Sequence, residues 1–233
     1  MDSSQHEHWW PWGQQSRNQL LAFMLWLTSK YRWSQHTYMR GVALLDRVAR
    51  TSLRPPHLPS LEYHSFLLAL AAMSLACKFE EGRPTESCWV PQPDGRLVEL
   101  ASGKWWACLV ADFNACLQMQ PPLTCREARA AELRLAHDLQ WQLHDKTVLE
   151  KALERIDTDD HGKLFALQLL LRTCTFLTTP RLDAVGLAEQ LLAGQTAHPG
   201  VDALRCWLAL PLPHPVLALE RQSLQQSFPC LFV

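Results

Sequence analysis

Residues 66–81 read FLLALAAMSLACKFEE, and the stretch from Phe66 to Cys77 is broken only by Ser74. A helix that is apolar nearly all round has no face to give to water, so it must be surrounded by other helices. At about 12 residues the run is too short for a bilayer, which needs roughly 20. It is therefore read as the central helix of a bundle, started by Ser60 and ended by the charged residues Lys78-Phe-Glu-Glu81.

Working upstream, Leu20, Phe23, Met24, Leu27 and Tyr31 recur at spacings of three and four and predict a helix over 16–31 with one buried stripe. Ser34 is a suitable N-cap for a second helix through Val48, with Tyr38, Val42 and Leu45 inward. Arg54-Pro-Pro-His-Leu-Pro59 then interrupts the chain. Downstream, the Gly and Pro content of 82–93 reads as loop, and a fourth helix is expected over 103–119, carrying Trp105, Trp106, Leu109, Phe113 and Leu117. Pro121 and Pro122 stop it, and Thr124-Cys-Arg-Glu127 has the capping-box pattern that opens a fifth helix to about Leu139. Thr147-Val-Leu-Glu150 is a second capping box. Helices are expected at about 147–156, 163–178, 183–193, 200–210 and 215–227, with Gly194 a C-terminal stop and Pro215 in a first turn. Five helices follow five, with no clear sequence repeat between the halves, so the predicted fold class is all-α, two stacked five-helix bundles.

The 233 residues and an apolar fraction of 48% suffice for a real core. Lys and Arg number 22 against 23 Asp and Glu, with pI near 6.8, which argues against binding to nucleic acid by phosphate neutralisation. The eight cysteines include no C-x-x-C pair, so neither a zinc site nor a redox motif is expected, and a reduced, intracellular chain is. The polar start through Glu7, followed by Trp9, Trp10 and Trp12, lacks the pattern of a signal peptide. No membrane association, metal or cofactor is expected.

Sites of chemistry are scarce. Asp157-Thr-Asp159-Asp160-His161-Gly162 has the acidic residues and glycine of a calcium loop, but Gln168 stands where the bidentate carboxylate belongs, and an acidic helix start explains the run. His6 and His8 make too few ligands for a metal on a polar tail. Cys77 lies in the apolar run and reads as a buried thiol, and Cys125 has no base beside it in sequence. Thr179-Pro180 lacks the basic residue of a proline-directed phosphorylation site. Nucleotide-cradling glycines, H-E-x-x-H and G-x-S-x-G are absent, so no enzymatic activity is expected.

The chain nevertheless resembles a divergent cyclin box of the mitotic type. The run from Ser16-Arg17 through Leu20 and Phe23 to Leu44-Leu-Asp46-Arg47 is similar to the opening of that box, and Leu75-Ala-Cys-Lys78-Phe-Glu-Glu81 is similar to the family's Leu-Ala-Ser-Lys-Phe-Glu-Glu. Glu132, Leu139, Trp141 and Leu143 fit its closing pattern. The resemblance covers 16–145, with an insertion at about 82–123, after a Trp-rich extension over 1–15. It implies a second cyclin-like repeat over 146–233.

It also implies a non-catalytic regulatory subunit that binds and activates a cyclin-dependent serine/threonine kinase in cell-cycle control. Lys78 and Glu132 would bond the backbone near the kinase's regulatory helix, Phe79, Trp141 and Leu143 would give apolar contacts, and Glu80 and Glu81 would lie at the rim. Arg17 and Asp46 would form an internal ion pair. The family's substrate-docking patch on the first helix maps to Ser16, Gln19, Leu20 and Phe23, so only two of its four apolar contacts remain, which weakens docking of Arg-x-Leu peptides. A leucine of the kinase face maps to Ala136, and the Trp cluster at 9–12 is a further candidate anchor. Two alternatives are a cyclin-fold adaptor of the general transcription factor kind and a cyclin that binds its kinase without activating it.

Overall fold

The computed structural model describes residues 14–49, 60–81, 87–91, 97–101, 104–118, 120–156, 159–177, 182–210 and 215–232. His6, His8, Trp9, Trp10, Trp12, the Pro-rich turn at 54–59, Asp157 and Thr179-Pro180 lie outside them. The chain divides into two compact units between Asp145 and Lys146.

The first unit holds α1 (Gln14–Tyr31), α2 (Gln35–Ala49), α3 (Leu61–Glu80), β1 (Ser87–Pro91), β2 (Leu97–Ala101), α4 (Lys104–Leu117) and α5 (Cys125–Asp138). Ser60 caps α3 by accepting the Tyr63 N–H at 3.0 Å, and every residue from Tyr63 to Cys77 is buried. As its all-round apolarity demands, α3 packs against α1, α2 and α5. Rings from three helices meet beside it: Phe23 stands edge-on to Phe66 at 5.6 Å and to Phe113 at 6.0 Å. Such pairs add about 0.5–1.5 kcal/mol beyond their buried area. Gly41 lets α2 approach α3, since a Cβ there would lie 2.5 Å from the Met73 sulfur. Thr124 and Glu127 form the expected capping box of α5.

The all-helical architecture stands, with one local correction. Residues 82–93, read as loop, contribute β1, which pairs antiparallel with β2 in the register Ser87 to Ala101 through Pro91 to Leu97. The expected insertion at 82–123 also contains α4, whose Leu109 and Phe113 are fully buried, so α4 belongs to the bundle.

The second unit holds α6 (Val148–Arg155), α7 (His161–Cys174), α8 (Ala184–Leu192), α9 (Gly200–Ala209), α10 (Pro215–Ser227) and a closing 3-10 turn, Pro229–Phe232. Thr147 and Glu150 make a capping box, and Asp160 and Asp183 cap α7 and α8. Asp160 thus serves as the acidic helix start rather than as a cation ligand. Gly194, at φ +74°, lets the chain turn out of α8 where a side chain would be strained. Helix α7 ends at Cys174, short of the expected 178, because Thr175 to Leu177 tighten into three-residue turns. Arg172 and Glu220 join α7 to α10 at 2.6 Å, and Arg205 holds the Cys230 and Leu231 carbonyls.

Candidate functional site

The C-terminal turn of α3 is where polar chemistry enters the apolar core of the first unit. Ser74 and Lys78 stand four residues apart and therefore share one face of α3. Both reach the Glu132 carboxylate on α5: the Lys78 ammonium donates to Oε1 and the Ser74 hydroxyl to Oε2. Glu132 is only 8% exposed, whereas the Lys78 side chain is 31% exposed. The Lys78 ammonium also lies 5.5 Å from the centre of the Trp106 ring, a cation–π distance. The two residues expected to meet a partner are side by side, but they differ in access. Glu132 is the more enclosed of the two, with one oxygen held by Lys78 and the other by Ser74, so it orients the Lys78 ammonium.

Phe79, next along α3, is 44% exposed. Its ring is covered on one side by the Arg40 guanidinium at 4.3 Å. Trp141 is 60% exposed, and Leu133 on α5 is equally open. Leu143 is half-buried, and its carbonyl accepts from Arg40 at 2.7 Å. Exposed large aromatic side chains such as Phe79 and Trp141 are the residue types enriched at protein interfaces.

The two acidic residues expected at the rim turn inward. Glu80 pairs with the buried Arg40. Glu81 accepts the Ser34 N–H at 2.8 Å and the Thr37 hydroxyl at 2.6 Å, and so caps the start of α2. An ionised carboxylate at a helix N-terminus satisfies free donors and meets the positive end of the dipole.

Arg17 and Asp46 form a two-pronged pair, with Nε to Oδ1 at 3.1 Å and Nη2 to Oδ2 at 2.9 Å, tying α1 to α2. The docking patch is corrected: Leu20 and Phe23 are 1% and 6% exposed and belong to the core, because Phe23 is enclosed by Phe66 and Phe113. Ala136 is buried as well, and of the patch positions with a described side chain only Gln19 faces water. Cys77 is buried and Cys125 partly exposed, and among the described residues no group of His, Cys, Asp and Glu is arranged to hold a metal.

Sequence reasoning missed Arg40, the centre of the polar network. Its partners lie 40, 103 and 105 positions away, so no local pattern announces them. It also missed Asp112 on α4, which accepts from Lys30 and the Tyr31 hydroxyl, both at 2.5 Å. Ser74 had a visible signal as the single interruption of the apolar run.

Compared with known families, residues 3–92 match the model of the cyclin N-terminal domain. That stretch is similar to a cyclin N-terminal domain. The match includes Arg17, Asp46 and Lys78, and it ends before α4 and α5, so Glu132, Trp141 and Leu143 stand beyond it. No curated protein matches the chain.

Proposed function

We propose that this cyclin-type protein binds a cyclin-dependent serine/threonine kinase through the end of α3 and the turn after α5, and that binding activates the kinase. The observation that carries the reading is the half-open Lys78, fixed by Glu132 and Ser74, with Phe79 exposed next to it in sequence and Trp141 exposed just after α5. Lys78 offers a charge-assisted donor to a backbone carbonyl of the partner, while Phe79, Trp141 and part of Leu143 provide apolar area. Glu132 prevents the ammonium from swinging away.

Activation is a population shift. A kinase needs its own lysine–glutamate ion pair assembled before phosphoryl transfer, and a partner that binds the assembled arrangement preferentially raises its population. Turning such a switch from mostly off to mostly on takes about 5.5 kcal/mol of differential binding. Two aromatic anchors and a desolvated cationic hydrogen bond are of the right order, since individual hot-spot residues contribute 2 kcal/mol or more. The cell-cycle role, with action in the nucleus or cytoplasm, follows from this reading and from the family.

The test is binding to a panel of purified monomeric cyclin-dependent kinases, followed by histone phosphorylation. At least one kinase should form a one-to-one complex and gain activity, and Phe79→Ala with Trp141→Ala should weaken that complex by at least about tenfold. A panel with no binder, or equal binding by the variant, overturns the proposal.

A further inference from the structure

Two exposed aromatic residues from separate segments, Phe79 on α3 and Trp141 after α5, are governed by one buried cation. Arg40, 3% exposed on α2, pairs with Glu80 and lies over the Phe79 ring. The same guanidinium donates from Nη1 to the carbonyls of Leu143 at 2.7 Å and Asp145 at 3.1 Å. Two turns further along the same face of α2, Arg47 donates to the Gln142 carbonyl at 2.7 Å and to the Asp145 carboxylate at 2.8 Å.

The segment held in this way is strained. Gln140 and Trp141 have φ of 51° and 60°, the left-handed region, which is uncommon for side-chain-bearing residues and an outlier for a bulky ring. The N–H groups of Gln140 and Trp141 close on His137 and Ala136 at 2.8 Å each, which sets where the chain leaves α5. They do not set where it goes next. Strained backbone persists only when its surroundings over-determine it, and such places concentrate at ligand clamps. After Trp141 the Gln142 and Leu143 N–H groups bond locally to Leu139 and Trp141 at 3.0 and 3.1 Å, and the long-range constraint that ties the turn to α2 comes from Arg40 and Arg47.

We infer that Arg40 is a positioning residue for partner binding: it holds the Trp141–Leu143 turn and the Phe79 ring in one fixed register, so that the kinase meets a preformed surface. The inference rests on the kinase-binding reading above. Preorganisation of this kind strengthens binding by removing the ordering cost from the association step, and its loss is felt chiefly as faster dissociation. Arginine suits the position because its planar fork reaches a carboxylate and two carbonyls while its face covers a ring; a lysine keeps the charge for Glu80 but, as a point charge, cannot make all of these contacts at once.

The experiment compares wild type, Arg40→Lys, and a double variant, Arg40→Met with Glu80→Leu, that removes the buried pair as a unit and keeps apolar volume. Phe79→Ala and Trp141→Ala serve as controls. Three readings are taken: melting temperature, amide hydrogen exchange of residues 141–146, and dissociation of a purified cyclin-dependent kinase from the immobilised full chain. The expected result is that Arg40→Lys speeds exchange in 141–146 and speeds kinase release by about tenfold, a larger effect than its melting shift accounts for. The double variant should behave in the same way, which keeps the test valid if Arg40→Lys folds poorly. Kinase release unchanged in both variants, or changed only in proportion to the melting shift, overturns the inference while the alanine controls still weaken binding. If the alanine controls bind as wild type, or no kinase is bound, the kinase-binding reading fails and the inference falls with it.

Discussion

Removing Lys78 should destabilise the protein more than removing Glu132, although the two form one pair. With Lys78→Ala, the Glu132 carboxylate stays buried and keeps only the Ser74 hydroxyl, and the contact with Trp106 is lost too. Breaking a fully buried pair from one side costs about 3–5 kcal/mol. Because the Lys78 side chain is 31% exposed, water can reach the gap, and about 2–3 kcal/mol is expected here. With Glu132→Ala, Lys78 can swing into solvent. Ser74 can turn its hydroxyl to the carbonyl four residues back, as Thr28 and Ser65 already do toward Met24 and Leu61. The loss is then two hydrogen bonds and a small void, about 1–2 kcal/mol. The double variant should cost about as much as Glu132→Ala alone, so the pair is strongly non-additive. Equilibrium urea unfolding of the four proteins measures this, and each kcal/mol corresponds to about 2–4 °C of melting temperature for a chain of this size. A larger loss from Glu132→Ala than from Lys78→Ala, or additive losses, would refute the reasoning.

Three further outcomes follow from the geometry. Gly41→Ala should destabilise by about 1 kcal/mol net in urea unfolding, because the new Cβ meets the Met73 sulfur and the strain exceeds the gain in helix propensity; a stabilised variant would show that α2 and α3 have slack. Burial pushes the Cys174 thiol up to about 12, so it carries no thiolate at pH 8. Iodoacetamide should leave it unmodified in the folded protein while labelling the exposed Cys206, and equal rates would contradict its sealed position. Burial also raises the Glu220 carboxyl above its usual range, against the opposing pull of Arg172. The folded state therefore holds that proton at higher pH than the unfolded chain, and the stabilisation is complete below the unfolded pKa and is lost as pH rises through the folded one. Wild type should gain stability relative to Glu220→Gln as pH falls from neutral toward the ordinary carboxyl range, and the opposite slope would reject that environment.

Most of the helical plan was legible because it is written locally. The capping boxes at Thr124 and Thr147 and the stop at Gly194 each depend on residues within four positions, and the all-round apolarity of 66–77 already placed α3 at the centre. The pair Lys78–Glu132 and the pair Arg17–Asp46 were reached only through the resemblance, since residues 54 and 29 positions apart meet through packing that no periodicity encodes. The inward turn of Glu80 and Glu81 was not legible. On spacing they read as a solvated helix end, and their true partners, Arg40, Ser34 and Thr37, lie on another helix and its cap. Leu20 and Phe23 were assigned outward by the family pattern although their own periodicity put them inward, and the periodicity was the better guide.

Contact at the end of α3 and the turn after α5 is tested most directly by photocrosslinking from those positions. A benzophenone side chain is placed at Phe79 or at Trp141, with Gln19 on α1 and Leu219 on α10 as exposed controls, and each protein is irradiated with a purified cyclin-dependent kinase. The account predicts crosslinks from 79 and 141 to the kinase's regulatory helix and its flanking backbone, with none from 19 or 219. Crosslinks from 19 or 219 but not from 79 and 141 would contradict it.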